Sequence, residues 1–189
     1  MLVLASRSPR RQEILVRAGI PFVVRPVQVD EALQPGEDAR ACVRRLARQK
    51  AEAVEAAPED VVLGADTVVV VDEEILGKPV DAADAASMLG RLSGREHIVL
   101  TGICLRASSG LIEDLEATRV RFVPLSPRDI AEYVSSGEPM DKAGAYAIQG
   151  LASRFIDRVE GCYFNVVGLP IARVYRHLLA LGARHHPGD

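Results

Sequence analysis

The sequence predicts a mixed α/β domain, a mixed sheet flanked by helices. Three observations carry this. Short β-branched apolar runs alternate with segments of helical period, two neighbouring runs read as an antiparallel hairpin, and no repeat, low-complexity tract or linker interrupts the chain.

The elements follow in order. Leu2 to Ala5 reads as a strand, and Pro9 to about Ala18 as a helix capped by Ser8 and ended at Gly19. Pro21 to Val27 is strand-like, VDEALQPGED is a loop, and Asp38 to Ala57 has the spacing of a long helix. Two apolar runs, VVLGA and VVVV, then flank Asp66 and Thr67, and a helix covers Ala82 to Leu92. His97 to Leu105 and Leu115 to Val123, with SSG between them, form the hairpin. Ser126-Pro-Arg-Asp129 opens a helix to about Ser135 as a capping box. A glycine-rich stretch, a short strand at Phe155 to Val159 and a helix from Pro170 complete the chain.

The 189 residues fit one domain, expected over 1–184 with a short tail at 185–189, and 48% hydrophobic content supplies a core. A formal net charge of −3 argues against coating a nucleic acid polymer or a membrane surface, so any bound anion needs a local cluster. The three cysteines form no C-x-x-C pair and read as reduced core thiols, which suits a cytoplasmic protein. MLVLASR lacks the charged start and long apolar region of a signal peptide, and no run reaches the ~18 apolar residues of a membrane span. The histidines of the terminal RHHPGD are not read as a metal site.

Several charged residues resist a purely structural reading. Arg10 and Arg11 occupy the first turn of a helix, whose partial positive charge disfavours each cation by roughly 0.3–1 kcal/mol. A bound phosphate would reverse that sign; two solvated arginines are the alternative. Lys50 lies on the apolar stripe of Val43, Leu46, Ala47 and Val54, either snorkelling to water or entering a polar cleft. Asp66 interrupts a β-branched run, and an unpaired buried carboxylate is costly. It reads either as a turn residue between two strands or as a functional carboxylate at a strand end, with the second favoured.

Lys78 sits in the proline-fixed GKP, and Asp141, Lys142 and Gln149 lie among glycines that let backbone approach a ligand. Separated basic patches with several acidic groups suit a polyanion plus a divalent cation. Glu31 is a candidate for that cation and Asp30 its competitor, because magnesium favours one or two carboxylates plus phosphate oxygens. Walker A, G-x-G-x-x-G and G-x-S-x-G motifs are all missing from the sequence.

Five blocks, SRSPRR (6–11), GADTVV (64–69), LGKP (76–79), GEPMDKAGAYAIQG (137–150) and NVVGLP (165–170), together resemble the Maf family of nucleoside triphosphate pyrophosphatases. The resemblance implies an elongated mixed sheet with a deep central cleft, related to the inosine triphosphate pyrophosphatases. It also implies hydrolysis between the α and β phosphates and a homodimer; the divalent cation that the residues suit is expected to be Mg2+ or Mn2+. Asp66 takes the place of the family's proton acceptor; apart from the resemblance, Asp66 and Glu31 are the expected protein partners of the divalent cation. Arg10, Arg11, Lys50 and Lys78 match the family's phosphate-side basic residues, with Ser6 alongside; Lys142 is expected, apart from the resemblance, to help at the same site.

Arg10, Thr67 and Gln149 match the positions that separate substrate classes, in the combination of the dTTP- and UTP-cleaving subgroup. Ala147 departs from the family's usual glycine. Two rival readings remain: a purine-directed enzyme acting on inosine triphosphate or 7-methyl-GTP, and a non-catalytic nucleotide-binding regulator of septum formation.

Overall fold

A computed structural model of the chain describes residues 1–182. The expected tail, and residues 183 and 184 of the expected domain, lie outside them.

The strands are β1 (Leu2–Leu4), β2 (Phe22–Val24), β3 (Val61–Val71), β4 (Glu74–Leu76), β5 (Glu96–Ala107), β6 (Gly110–Phe122) and β7 (Ile156–Glu160). The α-helices are α1 (Pro9–Arg17), α2 (Ala39–Glu52), α3 (Ala82–Leu92), α4 (Pro127–Ser135), α5 (Tyr163–Val167) and α6 (Ile171–Ala180). Single 3-10 turns occupy Glu138–Asp141, Ala143–Ala145 and Leu151–Phe155. The strands form a seven-stranded mixed sheet in the order β2-β1-β3-β5-β6-β7, with β4 paired to β3. β1 runs parallel to β2 and β3, whereas β3–β4 and β6–β7 are antiparallel.

Two compact units divide the chain. The first contains Met1–Asp66, Thr101–Glu116 and the described part of Gly168–Asp189; the second contains Thr67–Leu100 and Ala117–Val167. In the first unit α2 packs directly on the sheet, and two glycines permit it. A Cβ at Gly64 would lie 2.0 Å from the Ala47 carbonyl oxygen, and one at Gly102 2.4 Å from that of Val43. Val3, Ala5, Ala47, Ala51, Val54, Val62 and Cys104 fill the core at that interface. This close approach sets the site, because Lys50 lies one turn beyond Ala47 and Asp66 two residues beyond Gly64.

In the second unit α3 packs against α4 and the 143–145 turn. Phe122, His97, Tyr146, Phe155 and Tyr133 form a chain of edge-on and tilted aromatic contacts. The Ser126–Asp129 capping box of α4 is present in both directions.

Several elements differ from the sequence reading, among them α5, which was not foreseen. VVLGA and VVVV are one uninterrupted strand, so Asp66 sits in the middle of β3, neither in a turn nor at a strand end. A carboxylate is tolerated there because a lysine neutralises it, as shown below. The α2 helix stops at Glu52, short of Ala57, with Ala53 as its C-cap. β4 was not foreseen: Asp72 and Glu73, with φ of 51° and 65°, turn β3 back on itself as a two-residue hairpin without the usual Asn-Gly signal.

Candidate active site

Lys50 and Asp66 meet in the first unit. The Lys50 Nζ donates to Asp66 Oδ1 at 2.7 Å and lies 2.7 Å from Glu31 Oε1. The Lys50 and Asp66 side chains are 11% and 12% exposed, whereas Glu31 is 56% exposed. The cluster is therefore a buried ion pair with a third, solvent-facing carboxylate at its rim. Of the two readings of Lys50, the structure has the ammonium turned onto carboxylates. Of the two competing acidic residues, Glu31 reaches the lysine; the Asp30 carboxylate instead accepts the Ala32 N–H at 3.0 Å, a local turn.

The Ser6–Arg11 segment abuts the same place. Ser8 caps α1, its hydroxyl accepting the Arg11 N–H. The Arg11 side chain is buried; its Nε donates to the Gly168 carbonyl and its Nη1 to the Ala65 carbonyl, both at 2.8 Å. Nη1 also donates to Ser6 Oγ at 3.3 Å, and that oxygen accepts the Ser8 N–H at 3.2 Å. Burial lowers the Arg11 pKa, the Asp66 charge opposes that shift, Arg10 adds to it and Glu31 opposes it. Arg11 thus ties α1 to the residue preceding Asp66 and contributes positive potential there. Arg10, one position earlier, is half-buried at the opening of α1.

Thr67, Lys78, Lys142 and Gln149 belong to the second unit. The Gly144 N–H donates to the Gly77 carbonyl at 2.9 Å, which brings the GKP segment of Lys78 beside the 141–150 loop. Gly144 has φ 68°, and a Cβ there would lie 2.8 Å from the Val69 side chain, so both conformation and space demand glycine. Lys142 donates to the Glu138 carbonyl at 3.1 Å and pairs with Asp141. Lys78 and Gln149 are exposed and Thr67 is half-buried. Ala147 is not among the positive-φ residues, so its extra methyl strains no backbone.

Sequence reasoning missed four polar residues around this loop. His97 Nε2 lies 2.7 Å from the Tyr146 hydroxyl, and Tyr133 donates to Glu138 Oε1 at 2.8 Å. Glu138 and Tyr146 lie within the GEPMDKAGAYAIQG block, which was the available signal; nothing local marks His97 or Tyr133.

The donor set fits a divalent cation shared with phosphate. Two carboxylates already converge on one cationic point, the Lys50 Nζ. Among the described residues no group of three or more His, Cys, Asp or Glu side chains could cage a metal alone. Hard oxygens in that small number suit Mg2+ or Mn2+ completed by substrate.

The family model described as "Maf-like protein" matches residues 1–181. The chain is 53% identical over 182 residues to the dTTP/UTP pyrophosphatase of Koribacter versatilis, covering 96% of this chain and 94% of that one. It is 54% identical over 182 residues to the dTTP/UTP pyrophosphatase of Symbiobacterium thermophilum, with 96% and 94% coverage. A solved nucleoside-triphosphatase / dITP/XTP pyrophosphatase of Mycobacterium abscessus aligns with a TM-score of 0.46 and 15% identity over 96% of this chain and 97% of that one, too distant to establish a shared fold. No helix among the described residues is long and apolar enough to cross a membrane.

Proposed function

From the premise that this chain belongs to the Maf family, we propose that it is a dTTP/UTP pyrophosphatase, releasing the nucleoside monophosphate and pyrophosphate. The observation that carries the reading is a buried carboxylate, Asp66, held by Lys50, in a chain about half identical to enzymes of that name. Three free cysteines, two of them buried, suit a cytoplasmic enzyme. We take 1–184 as one catalytic domain, working as a homodimer.

In this scheme Asp66 accepts a proton from the water that attacks the α-phosphorus. The new oxygen–phosphorus bond forms as the bond to the bridging α–β oxygen breaks, and that oxygen leaves with its electron pair on pyrophosphate. Lys50 holds Asp66 at its fixed place on β3 through the 2.7 Å hydrogen bond from its ammonium. Ser6 and Arg11 hold the backbone on which Asp66 sits. Arg10, Lys78 and Lys142 offset phosphate charge, with Arg11 and Lys50 adding positive potential. A Mg2+ or Mn2+ ion held by Asp66 and Glu31 with phosphate oxygens would neutralise the triphosphate further. Thr67 and Gln149 read the base; a carboxamide complements the donor–acceptor edge of uracil or thymine.

A panel of nucleoside triphosphates with Mg2+ or Mn2+, scored for pyrophosphate release, tests the reading. Selective release from dTTP and UTP is expected. Preference for inosine triphosphate or 7-methyl-GTP would move the enzyme to the purine-directed class, and binding without release would leave a nucleotide-binding regulator.

A further inference from the structure

Gln149 occupies the third position of a four-residue turn. The Gly150 N–H donates to the Ala147 carbonyl at 3.1 Å, closing Ala147–Gly150, with Ile148 buried and Gln149 exposed. Both arms of that turn are tied to one acidic side chain. On one arm the Ala147 N–H donates to the Tyr133 hydroxyl at 3.3 Å, and that hydroxyl donates to Glu138 Oε1 at 2.8 Å. On the other the Leu151 N–H donates to Glu138 Oε2 at 3.0 Å. The anchored amides lie two residues before and two residues after Gln149.

The glycine completes the clamp. A Cβ on Gly150 would lie 2.3 Å from Glu138 Oε2 and 2.4 Å from Cδ, so the carboxylate rests where any side chain at 150 would stand. Gly150 has φ −104°, an ordinary value, so space and not conformation requires glycine here. Tyr133 is fully buried and its ring meets Phe155 edge-on at 5.5 Å, which fixes the hydroxyl. A carboxylate accepting from both a phenol and an amide makes stronger bonds than a neutral acceptor would.

We infer that Glu138, oriented by Tyr133, is a positioning residue that sets where the Gln149 carboxamide stands and thereby sharpens selection of the pyrimidine base. The inference rests on the proposed dTTP/UTP pyrophosphatase activity. Uracil offers N3–H as donor and O4 as acceptor, and cytosine inverts both. A carboxamide held in one place separates the two; a carboxamide on a loosened turn reorients and discriminates less.

The test is the ratio of kcat/KM for UTP to that for CTP. Glu138→Ala and Gly150→Ala each lower the ratio by about tenfold, through a raised KM for UTP, because discrimination by a base-reading hydrogen bond depends on its placement. Tyr133→Phe, which keeps ring and packing, lowers it less. Glu138→Gln retains one oxygen acceptor and restores most of the ratio lost in the alanine variant. In the Gln149→Ala background, adding Glu138→Gln or Tyr133→Phe produces no further fall, because the residues act through one carboxamide.

An unchanged ratio in folded Tyr133→Phe and Gly150→Ala overturns the clamp. So does an equal loss for UTP and CTP, or an effect that persists in full without Gln149. Should Glu138→Ala fail to fold, the near-isosteric Tyr133→Phe decides alone. Wild-type protein inactive toward every triphosphate overturns the activity and the inference together, whereas active wild type with unmoved ratios overturns the clamp only.

Discussion

Two regions of the molecule bury polar groups by opposite means. Around Asp66 charge is buried against charge: a carboxylate and an ammonium 2.7 Å apart, a second carboxylate at the rim, and a guanidinium tied to backbone carbonyls. Around His97 charge is expelled. Burial pushes the imidazole down to about 4 and raises the Tyr146 phenol, so both are neutral, joined by one hydrogen bond and edged by Phe122. The His97 Nδ1 has no hydrogen-bond partner among the described residues. The difference separates two tasks. Phosphoryl chemistry needs a fixed charge, and a charge in the interior persists only if paired. Seating the Tyr146 ring needs fixed position alone, which two neutral partners supply at lower desolvation cost.

The contrast can be broken most forcefully at Asp66. Asp66→Asn retains shape and removes the base, so turnover should fall by about 10²–10⁴-fold with nucleotide binding kept. Calorimetric titration beside pyrophosphate release checks this, and near-wild-type turnover would remove Asp66 as the base. Lys50→Met tests the pairing itself. It leaves Asp66 buried without its ammonium, a loss of about 3–5 kcal/mol in denaturant unfolding. Adding Asp66→Asn to that variant should recover part of the loss, since the orphaned charge is then gone.

The neutral region predicts a pH signature. Folded His97 stays neutral to about pH 4, whereas the unfolded chain takes up the proton near 6.5. The unfolded state therefore binds more protons in that window, and stability is lost as pH is lowered across it, by at most roughly 3 kcal/mol from this group. Carboxylates held low, such as Glu37 at about 2 beside Arg45, add to acid lability. The informative quantity is consequently the difference between wild type and His97→Phe: urea unfolding at pH 7 and pH 4.5 should show a flatter loss in the variant. The smallest effect is expected at half-buried Arg10. Arg10→Ala should raise KM about tenfold with little change in kcat, and should weaken the salt dependence of KM.

Much of this was legible in the sequence where a residue violated its local pattern. Asp66 in a β-branched run and Lys50 on an apolar stripe were each anomalous alone, and the structure makes them partners. Their meeting was not legible, because it depends on α2 reaching the sheet backbone at Gly64 and Gly102, a long-range contact with no local periodicity. The uninterrupted course of β3 was hidden for the same reason: a mid-strand carboxylate looks like a break until its lysine is known. Glu31 and Asp30 were indistinguishable by composition and differ only in what the loop lets them reach. Arg11 read as either a phosphate-facing or a solvated guanidinium; its anchoring to Ala65 and Gly168 depends on residues distant in the chain. The Tyr133–Glu138 link spans only five residues, yet nothing in the local pattern marks a tyrosine hydroxyl as turned onto that carboxylate.

The central claim is that water attacks the α-phosphorus with Asp66 as proton acceptor, and it is tested most directly by hydrolysing UTP in ¹⁸O-enriched water and locating the label by mass spectrometry. The account predicts UMP carrying the label and unlabelled pyrophosphate. Label in pyrophosphate, or UDP with labelled orthophosphate, would contradict it.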